Sequence, residues 1–183
     1  MFELTPNLSG GWTEKILRNF GDSVDGASPY SGLILDAAGN LYGTTYYGGT
    51  YDGGVAFELT PTARGSWTEK ILHNFNTNGT DGHQPYAGLI LDGKGNLYGT
   101  TLYGGSGACN DGFLGTGCGT VFELMPQAGG HWTEAILHNF NYNGTDGIFP
   151  YSGLTPDSMG NLFGTTYLGG SYNDGTVYEI KRP

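Results

Sequence analysis

The stretch Gly88-Leu-Ile-Leu-Asp-Gly-Lys-Gly-Asn-Leu-Tyr-Gly-Thr-Thr101 decides the fold, because the chain writes it three times. Gly32 to Thr45 repeats it closely. Gly153 to Thr166 repeats it with Gly-Leu-Thr-Pro-Asp at its start. Self-similarity at a period of roughly 55–65 residues marks a repeat architecture, in which one unit cannot bury its apolar faces alone and stacks on its copies. The repeats run over about 6–60, 61–125 and 126–183 within a single domain, and the second carries an insertion at 106–118. A residue present in all three copies is first of all a candidate for building the unit.

The second copy reads as four strands. Tyr86 to Asp92 is a short apolar run ending in the turn cluster Asp-Gly-Lys-Gly-Asn, which predicts a strand buried on both faces. Asn96 to Tyr103 follows, then Thr120 to Leu124, stopped by Pro126, then Trp132 to Phe140. Four short strands in about 40–50 residues make one blade of a β-propeller. The expected fold class is therefore all-β and β-propeller-like, with three four-stranded antiparallel blade repeats. Pro156 stands where the first copy has Leu35, and proline lacks the N–H that a central strand donates. The Gly-Leu-Ile-Leu-Asp strand is thus expected innermost, on a ladder edge. The outer strand opens with Trp12, Trp67 or Trp132, expected to pack between neighbouring blades.

The chain begins with Phe2-Glu-Leu4, a copy of the third strand, and ends with Val177-Tyr-Glu-Ile180, another copy. Three blades would leave open edges, and open edges pair with other chains. A homodimer closing a six-bladed ring by two-fold assembly is the expectation, with a longer repeat array as the alternative.

Composition supports strands. Gly contributes 35 residues and Lys plus Arg only 7, so no long helix-forming face exists, whereas 13 Tyr, 9 Phe and 3 Trp favour strands joined by Gly-rich turns. The net charge of −10 argues against nucleic acid or an anionic membrane surface as partner, since both require a basic face. No apolar run approaches the roughly 18 residues of a membrane span. No basic segment followed by an apolar one opens the chain, so no signal peptide is visible. A leader removed ahead of the numbering fits better than a cytoplasmic protein. Cys109 and Cys118 both lie in the insertion and read as a disulfide stapling a short excursion in an oxidising compartment. Two thiols with no neighbouring His or second pair leave a zinc site incomplete.

At this point the residues resemble a known family. Gly-Leu-Ile-Leu-Asp-x-x-Gly-Asn-Leu-Tyr-Gly-Thr-Thr, then Gly-Gly, then Gly-Thr-Val-Phe-Glu-Leu is similar to the GloVer tandem repeat of bacterial proteins, over essentially the whole chain. The Asp-x-x-Gly-Asn-Leu-Tyr turn also loosely resembles NHL and sensor-type propeller repeats. The resemblance implies a β-propeller-like fold in a secreted or cell-surface protein, and it brings no catalytic residues. The copies depart from the pattern at Ala56, Pro156 and Phe163.

The loop entering each inner strand carries Asp25-Gly-x-x-Pro-Tyr30, Asp81-Gly-x-x-Pro-Tyr86 and Asp146-Gly-x-x-Pro-Tyr151. A tight Asp-Gly turn and an extended Pro entry account for much of this motif. The functional reading is carbohydrate binding at the channel mouth, where an aromatic face stacks on a sugar ring and a carboxylate accepts from its hydroxyls. Asn76, Asn78 and Asp81, matched by Asn141, Asn143 and Asp146, crowd oxygens as a calcium loop does, although the spacing differs from the Asp-x-Asx-x-Asx-Gly pattern. No other cofactor is called for. His73 and His138 share one repeat position with Arg18, which reads as a partly exposed polar position rather than a metal ligand.

Glu58, Glu123 and Glu179 on the third strand, with Glu14, Glu69 and Glu134 on the fourth, are the carboxylates from which a glycoside hydrolase or lyase would have to be built. They recur in the copies, whereas an enzyme site is usually assembled from non-equivalent residues. A secreted binding module for carbohydrate or another extracellular polymer is the leading expectation. A polysaccharide-degrading enzyme and a self-associating structural protein are the alternatives.

Overall fold

The computed structural model describes residues 1–21, 24–109 and 117–182, so the centre of the 106–118 insertion lies outside the described residues. The chain is all-β. The one helical element among the described residues is a 3-10 turn at Ala128–Gly130.

A hairpin of Phe2–Pro6 and Trp12–Ile16 comes first. The first full sheet orders Ile34–Leu35, Leu41–Thr45, Val55–Pro61 and Trp67–Asn74, each antiparallel to the next. The second repeats this with Ile90–Leu91, Leu97–Thr101, Thr120–Pro126 and Trp132–Asn139. The third has Thr155–Pro156, Leu162–Thr166 and Thr176–Ile180. The expectation of three four-stranded sheets is therefore corrected, among the described residues, to two four-stranded sheets, one three-stranded sheet, a separate hairpin and two short two-stranded ladders. The physical reason is phase: each sheet joins the third strand of one repeat to the outer strand of the next, so it straddles the repeat boundaries near 60 and 125.

Each motif residue has a physical task. Asp36 Oδ1 accepts from the N–H of Ala38 and of Asn40, both at 2.8 Å, and its Oδ2 accepts from Asn40 Nδ2 at 2.9 Å. Asp92 and Asp157 cap their turns in the same way. The third turn residue has φ near +88° at Gly39 and Gly95, where a side chain would be strained. These hydrogen bonds hold the Asp36 and Asp92 carboxyls below the usual range, against a burial effect that would raise them. The Tyr42 hydroxyl lies 3.1 Å from both Asp36 Oδ2 and Glu58 Oε1, linking the turn to the third strand. Tyr98 repeats this with Asp92 and Glu123, whereas Phe163 has no hydroxyl to offer.

The inner strands are shorter than the apolar run predicts, and are half-exposed rather than buried on both faces. The reason lies at Leu89, which leaves the ladder and drops into the core between the first and second sheets. Pro156 pairs with Leu162 on the free edge of the third sheet, where a missing N–H costs no ladder bond.

The core sits between successive sheets. One cluster joins Tyr42, Ala56, Leu72 and Phe75 to Leu89, Leu97, Phe122 and Leu124. A second joins Tyr98, Val121 and Phe140 to Ile148, Leu154 and Leu162. A third sets Val55, Phe57 and Leu59 against Met1 and Phe20. A phenylalanine just past each outer strand reaches into the following sheet: Phe20 on Phe57, Phe75 on Phe122 and Phe140 on Tyr178, with centroids 5.3, 5.1 and 5.0 Å apart. Trp132 packs on Tyr42 of the preceding sheet and Trp67 joins the third cluster, while Trp12 is exposed. Cys109 and Cys118 form the expected disulfide, their Cα atoms 5.1 Å apart.

Candidate functional site: a tyrosine row backed by ion pairs

In each repeat, the loop after the outer strand carries the Asp-Gly-x-x-Pro-Tyr motif and forms a short ladder on the Tyr-Gly or Leu-Gly segment downstream. Gly82–His83 pairs with Tyr103–Gly104, Gly147–Ile148 pairs with Leu168–Gly169, and Ala27 bridges Tyr47. Midway between Asp and Tyr the chain takes φ near +57° at Ser28, Gln84 and Phe149. That turn sends the two ends of the motif to different places.

The tyrosines converge. Tyr30 and Tyr86 lie 5.4 Å apart, and Tyr86 and Tyr151 are likewise 5.4 Å apart. Tyr46 packs edge-on against both Tyr30 and Tyr86, and Tyr167 packs edge-on against Tyr151. Tyr30, Tyr86 and Tyr151 remain 59%, 39% and 42% exposed, so the three repeats jointly present a row of rings to solvent. Burial and its tyrosine neighbours push the Tyr46 hydroxyl up, keeping it neutral behind the row. A shallow depression lined by Tyr151, Ser152, Thr165 and Tyr167 adjoins one end.

The aspartates turn away from the row, Asp25 and Asp81 to the junctions between neighbouring repeats and Asp146 to His138 of its own repeat. Asp25 takes the Arg18 guanidinium, which also contacts Glu69 at 2.7 Å. Asp81 Oδ2 lies 3.1 Å from His73 Nε2, and Glu134 Oε2 lies 3.6 Å from the same nitrogen. Asp146 meets His138 at 3.1 Å. Asp81 and Asp146 also accept the backbone N–H of Asn76 and Asn141. Burial alone would lower the His73 imidazole, but the Asp81 hydrogen bond and the charges of Glu134 and Asp81 outweigh it and leave it raised. Burial pushes the Glu134 carboxyl well above the usual carboxylate range. The sequence carried a signal for these pairs: every Arg18, His73 or His138 is followed seven or eight residues later by the motif aspartate.

Two of the oxygens read as a calcium loop, those of Asn78 and Asn143, are already engaged by their own loops. Asn78 Oδ1 accepts from Thr80 N, Thr80 Oγ1 and Asp81 N, each at 2.9 Å, and Asn143 does the same for Thr145 and Asp146. Asp22, the start of the shorter first copy of this loop, lies outside the described residues. Of the glutamates, Glu58 pairs across the ladder with Lys70, and Glu69 pairs with Leu59. Strand alternation therefore puts Glu58 and Glu69 on opposite faces of one sheet, and Glu123 and Glu134 likewise.

Stacked antiparallel sheets, tied by repeating ion pairs and sharing one aromatic row, define a tandem-repeat β protein. The chain belongs to the Gloeobacter/Verrucomicrobia repeat family, which matches it over residues 1–183. No curated protein matches it significantly. Among the described residues no helix is long and apolar enough to cross a membrane, and the disulfide fits an oxidising environment.

Proposed function

We propose that the chain is a secreted or cell-surface β-propeller-like binding module whose tyrosine row takes carbohydrate or another extracellular polymer. The observation that carries this reading is the convergence of Tyr30, Tyr86 and Tyr151 into one exposed row, one ring from each repeat. An extended chain of sugar rings presents apolar C–H faces at intervals, and successive aromatic rings stack on them while their hydroxyls meet water or sugar. Three modest contacts on one rigid support act together without a linker to order. Asp25, Asp81 and Asp146 serve this site by fixing the loops that carry the tyrosines. The separation of Glu58 from Glu69 on opposite sheet faces favours binding over glycoside hydrolysis or a lyase reaction.

Polysaccharide pull-down or a glycan array tests this directly. The Tyr30→Ala, Tyr86→Ala, Tyr151→Ala triple variant is expected to lose about tenfold or more in affinity, given about 0.5–1.5 kcal/mol per aromatic contact. Its thermal unfolding should stay near that of the unaltered protein, because the three rings are partly exposed. Absence of any binding by the unaltered protein across a broad panel would sink the proposal. A homodimer or longer array is the assembly we attach to it, favoured by Phe2, Leu4, Trp12 and Ile16 standing exposed on the first hairpin. Light scattering on the same samples should give more than the mass of one chain; a monomer at all concentrations removes that part.

A further inference from the structure

The second junction differs from the first in one respect. At the first, a guanidinium occupies the space between Asp25 and Glu69. At the second, Asp81 and Glu134 face one another with only an imidazole nitrogen between them. One donor atom from each of His73, Asp81 and Glu134 falls within 4.8 Å of the others. We propose that His73 Nε2, Asp81 and Glu134 hold a divalent transition-metal ion of the zinc type.

Geometry supports the assignment. Ligands at about 2.0–2.1 Å around a tetrahedral ion stand about 3.4 Å from one another. The two His73 Nε2 separations, 3.1 Å to Asp81 and 3.6 Å to Glu134, bracket that value. The donors also arrive from three different elements: the outer strand of the first sheet, the loop that follows it, and the outer strand of the second sheet. An ion there would clamp two neighbouring repeats, as Arg18 clamps the hairpin to the first sheet.

Buried oxygens without partners are the second, independent observation. Among the described residues Asp81 Oδ1 meets no nitrogen or hydroxyl donor although Asp81 is only 9% exposed, Glu134 Oε1 meets none either, and the two carboxyl groups lie within reach of each other. Glu69 Oε1 is also unpartnered at the first junction, but there an arginine neutralises the pair. Of the three motif aspartates, only Asp81 keeps an unpartnered oxygen among the described residues, whereas Asp25 faces arginine and Asp146 engages both of its oxygens. Leaving such an atom unsatisfied is costly, and a coordinated cation satisfies it. One imidazole with two carboxylates suits zinc and its first-row neighbours, whereas calcium and magnesium prefer oxygen alone. Three protein ligands leave a fourth position for water, and the His73 side chain keeps 21% of its surface exposed.

The test uses untagged full-length protein stripped with a chelator and then titrated with zinc. Calorimetry and elemental analysis should give one zinc per chain, with the melting temperature rising by about 5 °C or more once zinc is in about hundredfold excess over its dissociation constant. His73→Arg installs the first junction's residue at the second. It should fold, bind no zinc and melt at a temperature indifferent to chelator. Glu134→Gln gives an independent arm and should weaken zinc binding at least tenfold. The proposal is overturned if the stripped protein takes up no zinc at about 100 µM, or if both variants bind it as the unaltered protein does, which would place the ion elsewhere.

Discussion

Phe75→Ala is expected to destabilise the protein by about 3–5 kcal/mol, the range for deleting a fully buried aromatic ring. Phe75 has no solvent exposure and sits in the cluster that joins the first sheet to the second, its ring 5.1 Å from that of Phe122. Its backbone N–H donates to Gly54 O at 3.0 Å, which anchors the chain there and limits how far the site can close over the space the ring leaves. Phe140→Ala should cost a similar amount for the same reason. Phe20→Ala should cost clearly less, because Phe20 is only half-buried against Phe57. Urea unfolding of the three variants measures the ranking. Equal losses at Phe20 and Phe75 would mean that burial between sheets is not what holds the repeats together.

Gly82→Val should cost about 3 kcal/mol, the upper end of the usual penalty for overpacking a core. A Cβ at Gly82 would stand 2.2 Å from Thr101 Oγ1 and 2.5 Å from Thr120 Oγ1. Neither threonine can move aside. Both are fully buried, their hydroxyls are 2.8 Å apart, and Thr101 Oγ1 also donates to Tyr103 O and accepts from Thr120 N. Gly147 meets Thr166 and Thr176 in the same way, which explains the glycine of the Asp-Gly motif as a close approach. Gly93→Val is the control: nothing lies within 4 Å of a Cβ there, and other copies carry Ala37 and Ser158. A Gly82 variant as stable as the Gly93 variant would refute the packing argument.

Much of the fold was legible in the sequence because each signal was local. The Asp-x-x-Gly-Asn turn and the cysteine pair act over short stretches of chain and reappear as read, while the apolar runs reappear as shorter, partly exposed inner strands. The candidate site was legible only in part. The motif set Asp81 five residues from Tyr86 and suggested one shared site, but the backbone turn at Gln84 sends the aspartate to His73 and the tyrosine to Tyr30 and Tyr151. The Arg18 or His73 position read as merely polar because its carboxylate partner Glu69 or Glu134 lies a full repeat further along the chain.

By itself, the sequence determined that the chain is a repeat, that its units are small antiparallel sheets, and where their turns fall. These follow from hydrogen bonds and alternation over short distances, where chain connectivity leaves few choices. Only the tertiary structure decided where the sheets begin and end, that three tyrosines share one row, and that His73, Asp81 and Glu134 meet. Those outcomes depend on how one sheet stacks on the next, and stacking brings together residues that no local pattern relates.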